Sequence, residues 1–321
     1  FILAYATMGV DRFFRCLELA DWVGAMSLEA LMGSASPFDA RLHELRPFGG
    51  CQLVAQRLKK LVQGSSILES HQDCDRVQDP YSLRCMPQVH GASRNAWLHL
   101  KELVEIELNA VTDNPIVFSE KETISGGNFH GQPLALPLDY ACFAAAELGN
   151  ISDRRSYLLI DGKWGLPTLL MDKVGLDSGF MIPQYTTAAL VTENKTLCFP
   201  ASADSIPTSL GQEDHVSMGS ISARKFNQVI DNLEYILSIE MLLAAQAIEF
   251  RRPLKSSALI ECMHSLIRTK IEFAIEDRVF ANDIGKAVAL FRDPSFLSTC
   301  NQESLSKGVD LNQGFSAFSQ Y

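Results

Sequence analysis

Gln78, Tyr81 and Arg84 stand three apart in Val77-Gln78-Asp79-Pro80-Tyr81-Ser82-Leu83-Arg84-Cys85. Over one or two turns of helix, that spacing would put an amide, a phenol and a guanidinium on one face. The planar fork of an arginine matches a carboxylate in two-point contact, and a phenol and an amide beside it would orient a polar small molecule. A capped surface turn with scattered polar residues would show the same spacing, and spacing alone does not choose. A second polar constellation runs from Ser202 to Met218, a loop rich in Ser, Thr, Pro and Gly that ends in Gln212-Glu213-Asp214-His215. A long helical pattern follows at once. Glu213 and Asp214 read equally as carboxylates capping that helix or as a general acid or base beside an imidazole.

The elements that must position these groups are helices. Apolar periodicity predicts helices over Phe1 to Glu18, Ser27 to Met32, Val54 to Val62, Ala92 to Val111, Leu134 to Ile160, Tyr185 to Phe199, Val216 to Phe250, Ser257 to Phe273 and Asp283 to Phe291. Ile116-Val117-Phe118 and Thr123-Ile124 predict one small hairpin. It leads into Ser125-Gly126-Gly127-Asn128-Phe129-His130-Gly131, where paired glycines let backbone approach a ligand or simply turn the chain. Long stacked helices with little strand imply an all-α bundle, read as a single domain over residues 1–321 with a polar, loosely ordered tail over 297–321. Helices with apolar residues on more than one face imply burial in an oligomer.

Composition narrows the class. With 321 residues, 47% hydrophobic and 21% charged, the chain has ample material for a core. A net charge of −10 argues against a nucleic-acid partner or an acidic membrane surface. No apolar stretch approaches a membrane span; Ile239 to Ile248 is interrupted by Glu240 and Gln246. The eight cysteines (16, 51, 74, 85, 142, 198, 262 and 300) are dispersed without a Cys-x-x-Cys pair. They read as small buried hydrophobes of a reducing, cytoplasmic compartment, and no metal signature is present. The helix at residue 1 has neither an initiator Met nor a cap before it, which reads as a processed or truncated chain.

Four segments carry a resemblance. They are Gly33-Ser34-x-Ser36-Pro37-Phe38-Asp39-Ala40-Arg41-x-His43-Glu44, Gln78 to Cys85, Ile124 to His130, and Ser205-Ile206-Pro207-Thr208-Ser209 through Gln212-Glu213-Asp214-His215-Val216-Ser217-Met218. In this order and spacing the chain resembles the histidine ammonia-lyases, a branch of the aromatic amino acid ammonia-lyases, from Phe1 to about Phe291. The resemblance implies elimination of ammonia from L-histidine to give trans-urocanate, on a 4-methylidene-imidazol-5-one (MIO) electrophile formed from an internal Ala-Ser-Gly. It implies that Arg84 clamps the substrate carboxylate and that Tyr81 sits at the reacting carbon. Gln78 would bond near the cofactor or carboxylate, and Phe129 would pack against the ring system. Glu213 would lie near the amine or imidazole as base or orienting group, with His215 in support. It also implies a homotetramer whose sites are assembled from several chains.

One departure matters: no Ala-Ser-Gly occurs in the sequence. The resemblance places that tripeptide upstream, so the cofactor-holding residues are unknown here and the chain alone is expected to be inactive. It reads as a fragment of a lyase, as one of two chains that together form the enzyme, or as a degenerate, non-enzymic relative; a different class of reading is a non-catalytic helical partner of an active lyase. A lyase or aminomutase on another aromatic amino acid is the remaining alternative. Met86, His90, Leu136 and Tyr140 flank the motifs as departures from the pattern, which bears on pocket shape or a subunit contact.

Overall fold

The computed structural model describes residues 1–71 and 76–319. Its first element, α1 (Ile2–Ala30), is one continuous helix where the sequence predicts two. The stretch between Glu18 and Ser27 holds no strong breaker, and burial of nearly every residue from Phe13 to Ala30 carries the helix across it. Met32, at φ 51°, turns the chain, and the Gly33 N–H returns to the Leu28 carbonyl at 2.9 Å. Short helices α2 (Ala40–Glu44) and α4 (Ser66–Glu69) flank α3 (Gly49–Leu61). A single turn, α5 (Tyr81–Arg84), runs straight into α6 (Met86–Leu108), which starts earlier than predicted because Pro87 suits a first turn. The predicted hairpin is present as β1 (Ile116–Ser119) and β2 (Glu122–Ile124), antiparallel, with Ile116 opposite Ile124.

Two long helices follow, α7 (Gln132–Ile160) and α9 (Gly219–Glu249), with α8 (Met181–Leu197) between them in the chain. Pro183 falls in the first turn of α8, where a missing N–H is tolerated, so the helix begins ahead of it rather than after it. Helices α10 (Ala258–Arg268), α11 (Phe280–Arg292) and α12 (Pro294–Ser306) close the chain. The all-α expectation therefore holds. The loosely ordered tail does not: α12 is capped by Asp293, buries Phe296 and Cys300, and is followed by a segment tied to α3. Those ties include Arg57 to the Asn312 side chain (2.6 Å) and Lys60 to the Asp310 carbonyl (2.6 Å). Polar composition concealed them because the ties are themselves polar.

Helix α9 lies at the centre, packed chiefly on α7 and α1, with α8 and α11 on its flanks. From Ile236 to Ile248 every α9 residue is buried. The second layer is α3 on α6, and its closeness has a local cause. A Cβ on Gly50 would stand 2.2 Å from the Gly91 carbonyl oxygen, so only glycine permits this crossing. No described helix is long and apolar enough to cross a membrane. The described cysteines are free, while Cys74 lies outside the described residues.

Candidate active site

The first constellation is built on the end of α1. Asp79 is buried, and its carboxylate accepts the Ser34 N–H at 2.6 Å through Oδ2 and Arg76 at 2.6 Å through Oδ1. Arg76 is held in turn by the Trp164 ring (4.2 Å from Cζ) and the Leu31 carbonyl (3.3 Å). Pro80 then launches α5, and Leu83, fully buried, anchors that turn to the core. Arg84 lies over the Tyr81 ring at 4.5 Å and donates through Nε to the Asp79 carbonyl at 3.0 Å. Tyr81 and Arg84 thus share a helical turn as the spacing predicts. Gln78 does not, because it precedes Pro80 in non-helical backbone. It still meets Arg84, since both line a cavity of about 830 Å³ with Met32, Ser34 and Gln88. Tyr81 stands outside that lining and is 70% exposed.

The second constellation is two loops that meet each other. In the first, the Asn114 side chain accepts Ser125 Oγ (3.0 Å) and the Gly126 N–H (2.8 Å), which sets the course toward Phe129. Phe129 is 57% exposed. Next to it, His130 stacks on His215 of the second loop, with ring centroids 5.4 Å apart and ring nitrogens 3.3 Å apart. The second loop starts from Asp139, which accepts the Ser202 N–H (2.8 Å) and Ser222 Oγ (2.9 Å) and pairs with Lys225. Burial pushes the Asp139 carboxyl up, but those bonds outweigh it and leave the group below the usual carboxylate range.

Glu213 is not a helix cap, because α9 begins six residues later behind Met218 with no side-chain cap. Its backbone carbonyl instead accepts the Thr208 N–H (2.9 Å). Its Oε2 accepts Thr208 Oγ1 (2.7 Å) and Ser209 Oγ (2.9 Å). The two hydroxyls hold this exposed carboxyl below its ordinary range, so it is an anion at neutral pH, a better partner for a cation than a proton acceptor. The turn it closes carries Ser209 (φ 50°), Leu210 (φ 58°) and Gly211 (φ 88°) in left-handed backbone. Among the described residues, no hydrogen bond or ion pair joins either loop to Tyr81 or Arg84.

Sequence reasoning did not find what lies beneath the first constellation. Glu18, Asp21, Arg57, Arg94, Arg155 and Glu240 are buried together and neutralise one another. Arg57 meets Asp21 (2.7 Å) and Glu18 (3.0 Å), Arg94 meets Asp21 (2.6 Å), and Arg155 meets Glu240 (2.6 Å). His90 bridges Asp21 (2.9 Å) and Arg155 (3.3 Å); burial lowers its pKa, as does the facing guanidinium, which favours the neutral ring. Arg155 also reaches the Ser82 carbonyl inside α5 at 3.4 Å. The available signal was a charge inside each apolar helical run, Glu240 above all. Met86 and His90 are thus core residues, whereas Leu136 and Tyr140 are half exposed on α7.

The family model for aromatic amino acid lyases matches residues 1–269. The chain belongs to the aromatic amino acid lyase family. Among its relatives in that family, the histidine ammonia-lyase of Sorangium cellulosum is 52% identical over 292 residues, covering 88% of this chain and 57% of the relative. That of Idiomarina loihiensis is 47% identical, covering 90% and 57%. Among solved structures, histidine ammonia-lyase from Trypanosoma cruzi superposes with a TM-score of 0.88 at 42% identity, covering 99% of this chain and 59% of that one. Tyrosine aminomutase from Streptomyces globisporus gives 0.89 at 34%, covering 94% and 62%. The chain spans a little over half the length of the relatives it matches.

Proposed function

We propose that this chain supplies the carboxylate clamp and an orienting anion of an ammonia-lyase that converts L-histidine to trans-urocanate. The observation that carries the reading is Arg84, a guanidinium fixed by its own Nε and by the Tyr81 ring at the wall of a cavity of about 830 Å³. The name shared by the similar relatives supplies the substrate.

The residues present fit an external MIO group. The Gln78 amide and the Tyr81 hydroxyl face outward with no partner among the described residues, so both are free to bond to a polar heterocycle presented from outside. When bound, that group supplies an electrophile for the substrate amine. Arg84 would hold the carboxylate, Glu213 would attract the ammonium or imidazolium, and Tyr81, exposed beside Arg84, would carry a proton at the reacting carbon. Phe129, exposed here, would pack on the ring system once another chain covers it. A homotetramer suits the exposed apolar side chains Leu136, Tyr140 and Phe143, which lie on one long helix. A cytoplasmic address belongs to the same reading, with a small amino acid substrate and no nucleic-acid or membrane partner.

The test is complementation. The chain is mixed with a segment bearing the Ala-Ser-Gly, and urocanate is followed by its ultraviolet absorbance after L-histidine is added. Urocanate formed by the mixture but by neither part supports the reading. An intact complex without turnover points instead to a non-catalytic partner. A β-amino acid formed from another aromatic substrate points to an aminomutase, the second reading, which rests on the likeness to tyrosine aminomutase.

A further inference from the structure

We propose that Asp79 is a positioning residue that fixes Arg84 end-on, so that its two terminal nitrogens, and not its Nε edge, receive the substrate carboxylate. The proposal rests on the reading of Arg84 as the carboxylate clamp. A guanidinium has two edges able to make parallel bonds to a carboxylate, Nε with one terminal nitrogen or both terminal nitrogens together. At Arg84 the first edge is spent, because Nε donates to the Asp79 carbonyl at 3.0 Å. One face of the plane is covered by the Tyr81 ring at 4.5 Å. What remains is the outer edge, which has no partner among the described residues and lines the cavity.

The carbonyl that makes this choice cannot drift. Asp79 is only 8% exposed, and its carboxylate is tied at both oxygens, to the Ser34 N–H at 2.6 Å and to Arg76 at 2.6 Å. Gly33 makes the first tie possible, for a Cβ there would stand 2.5 Å from Leu28 Cδ1 and 3.3 Å from Asp79 Oδ2. Pro80 fixes the next φ at −54°. Asp79 lines the same cavity, but its carboxylate is spent on Ser34 and Arg76, so its part is to transmit the position of the end of α1 to the guanidinium. Losing it leaves Arg84 charged and present but unaligned, which weakens binding more than the chemical step.

Two readouts test this. In the complemented enzyme, Asp79→Ala is expected to raise KM for L-histidine about ten-fold while kcat stays within about three-fold, and Asp79→Asn, which keeps an acceptor for Ser34, falls between. In the 321-residue chain itself, hydrogen exchange of the Arg84 Nε–H, assigned by its loss in Arg84→Lys, is expected to accelerate at least about ten-fold in Asp79→Ala. Unchanged exchange together with unchanged KM in a folded variant overturns the proposal. Should Asp79→Ala not fold, Arg76→Gln removes one tie, and the absence of any shift in either readout overturns it equally. If the parent assembly shows no turnover, the exchange measurement alone decides: acceleration supports the positioning role although the histidine reading fails.

Discussion

The two constellations are built in opposite ways. Around Arg84, charges are buried, tied at both ends and backed by the ion cluster beneath α5. Around Glu213, the chain is exposed, curved through left-handed residues and held by hydroxyls, backbone bonds and one histidine stack. A site's geometry is kept only where its supporting residues are themselves locked. The first half is thus preorganised by this chain's own core, whereas the second is an exposed surface whose two loops hold one another.

The largest effects should come from breaking the locked half. Arg155→Met leaves Glu240 buried without its partner, a loss of about 3–5 kcal/mol of stability, checked by chemical denaturation. A change under about 1 kcal/mol would mean that the cluster is not what holds the core. Arg84→Ala in the complemented enzyme should lower kcat/KM by about 2–5 kcal/mol in transition-state terms while the fold is kept. An unchanged specificity constant removes Arg84 from the site.

A pH experiment sharpens the same contrast. Burial pushes the Glu29 carboxyl, in the last turn of α1, up to about 7, although the Ser257 N–H and nearby hydroxyls pull the other way. Below about pH 4.5 folded and unfolded chains both carry the proton. Between there and about pH 7 only the unfolded chain releases it, so stability falls across that window and then levels. Glu29→Gln should remove the slope, gaining up to about 3 kcal/mol at pH 8 and nothing at pH 4. Thermal melts at both pH values decide it; equal gains at the two would show that titration is not the cause. In the exposed half, Glu213→Gln should raise KM about ten-fold and move kcat less, as the loss of an orienting anion requires. The reverse pattern would make it an acid or base instead.

Much of this contrast was legible in the residues. Arg84 and Tyr81 come together because their spacing is one helical turn, and Pro80 fixes where that turn begins. Gln78 reached the cavity by another route, since a proline between it and Tyr81 ends any shared helix. The helices were legible from periodicity, but not the fusion of the first two, because tertiary burial overrides weak local propensity. The ion cluster was not legible, because its members lie on separate helices and only packing reveals that their charges face one another. Glu213 was misplaced as a candidate cap because left-handed backbone at Ser209 and Leu210 sends the chain through a closed turn before α9 starts.

The smallest predicted effect tests that turn. Leu210 projects fully into solvent, so a replacement loses no packing. Its φ of 58° costs an L-residue about 1–2 kcal/mol, which glycine avoids. Glycine also loosens the unfolded chain by about 0.4–1 kcal/mol. The difference leaves Leu210→Gly stabilising by about 0.5 kcal/mol, read as a small rise in Tm. Destabilisation would mean that the curvature is relaxed already and that Glu213 holds nothing under strain. A rise, coupled to faster exchange at the Thr208 N–H in Glu213→Gln, would show that this carboxylate clasps its own loop in the free chain.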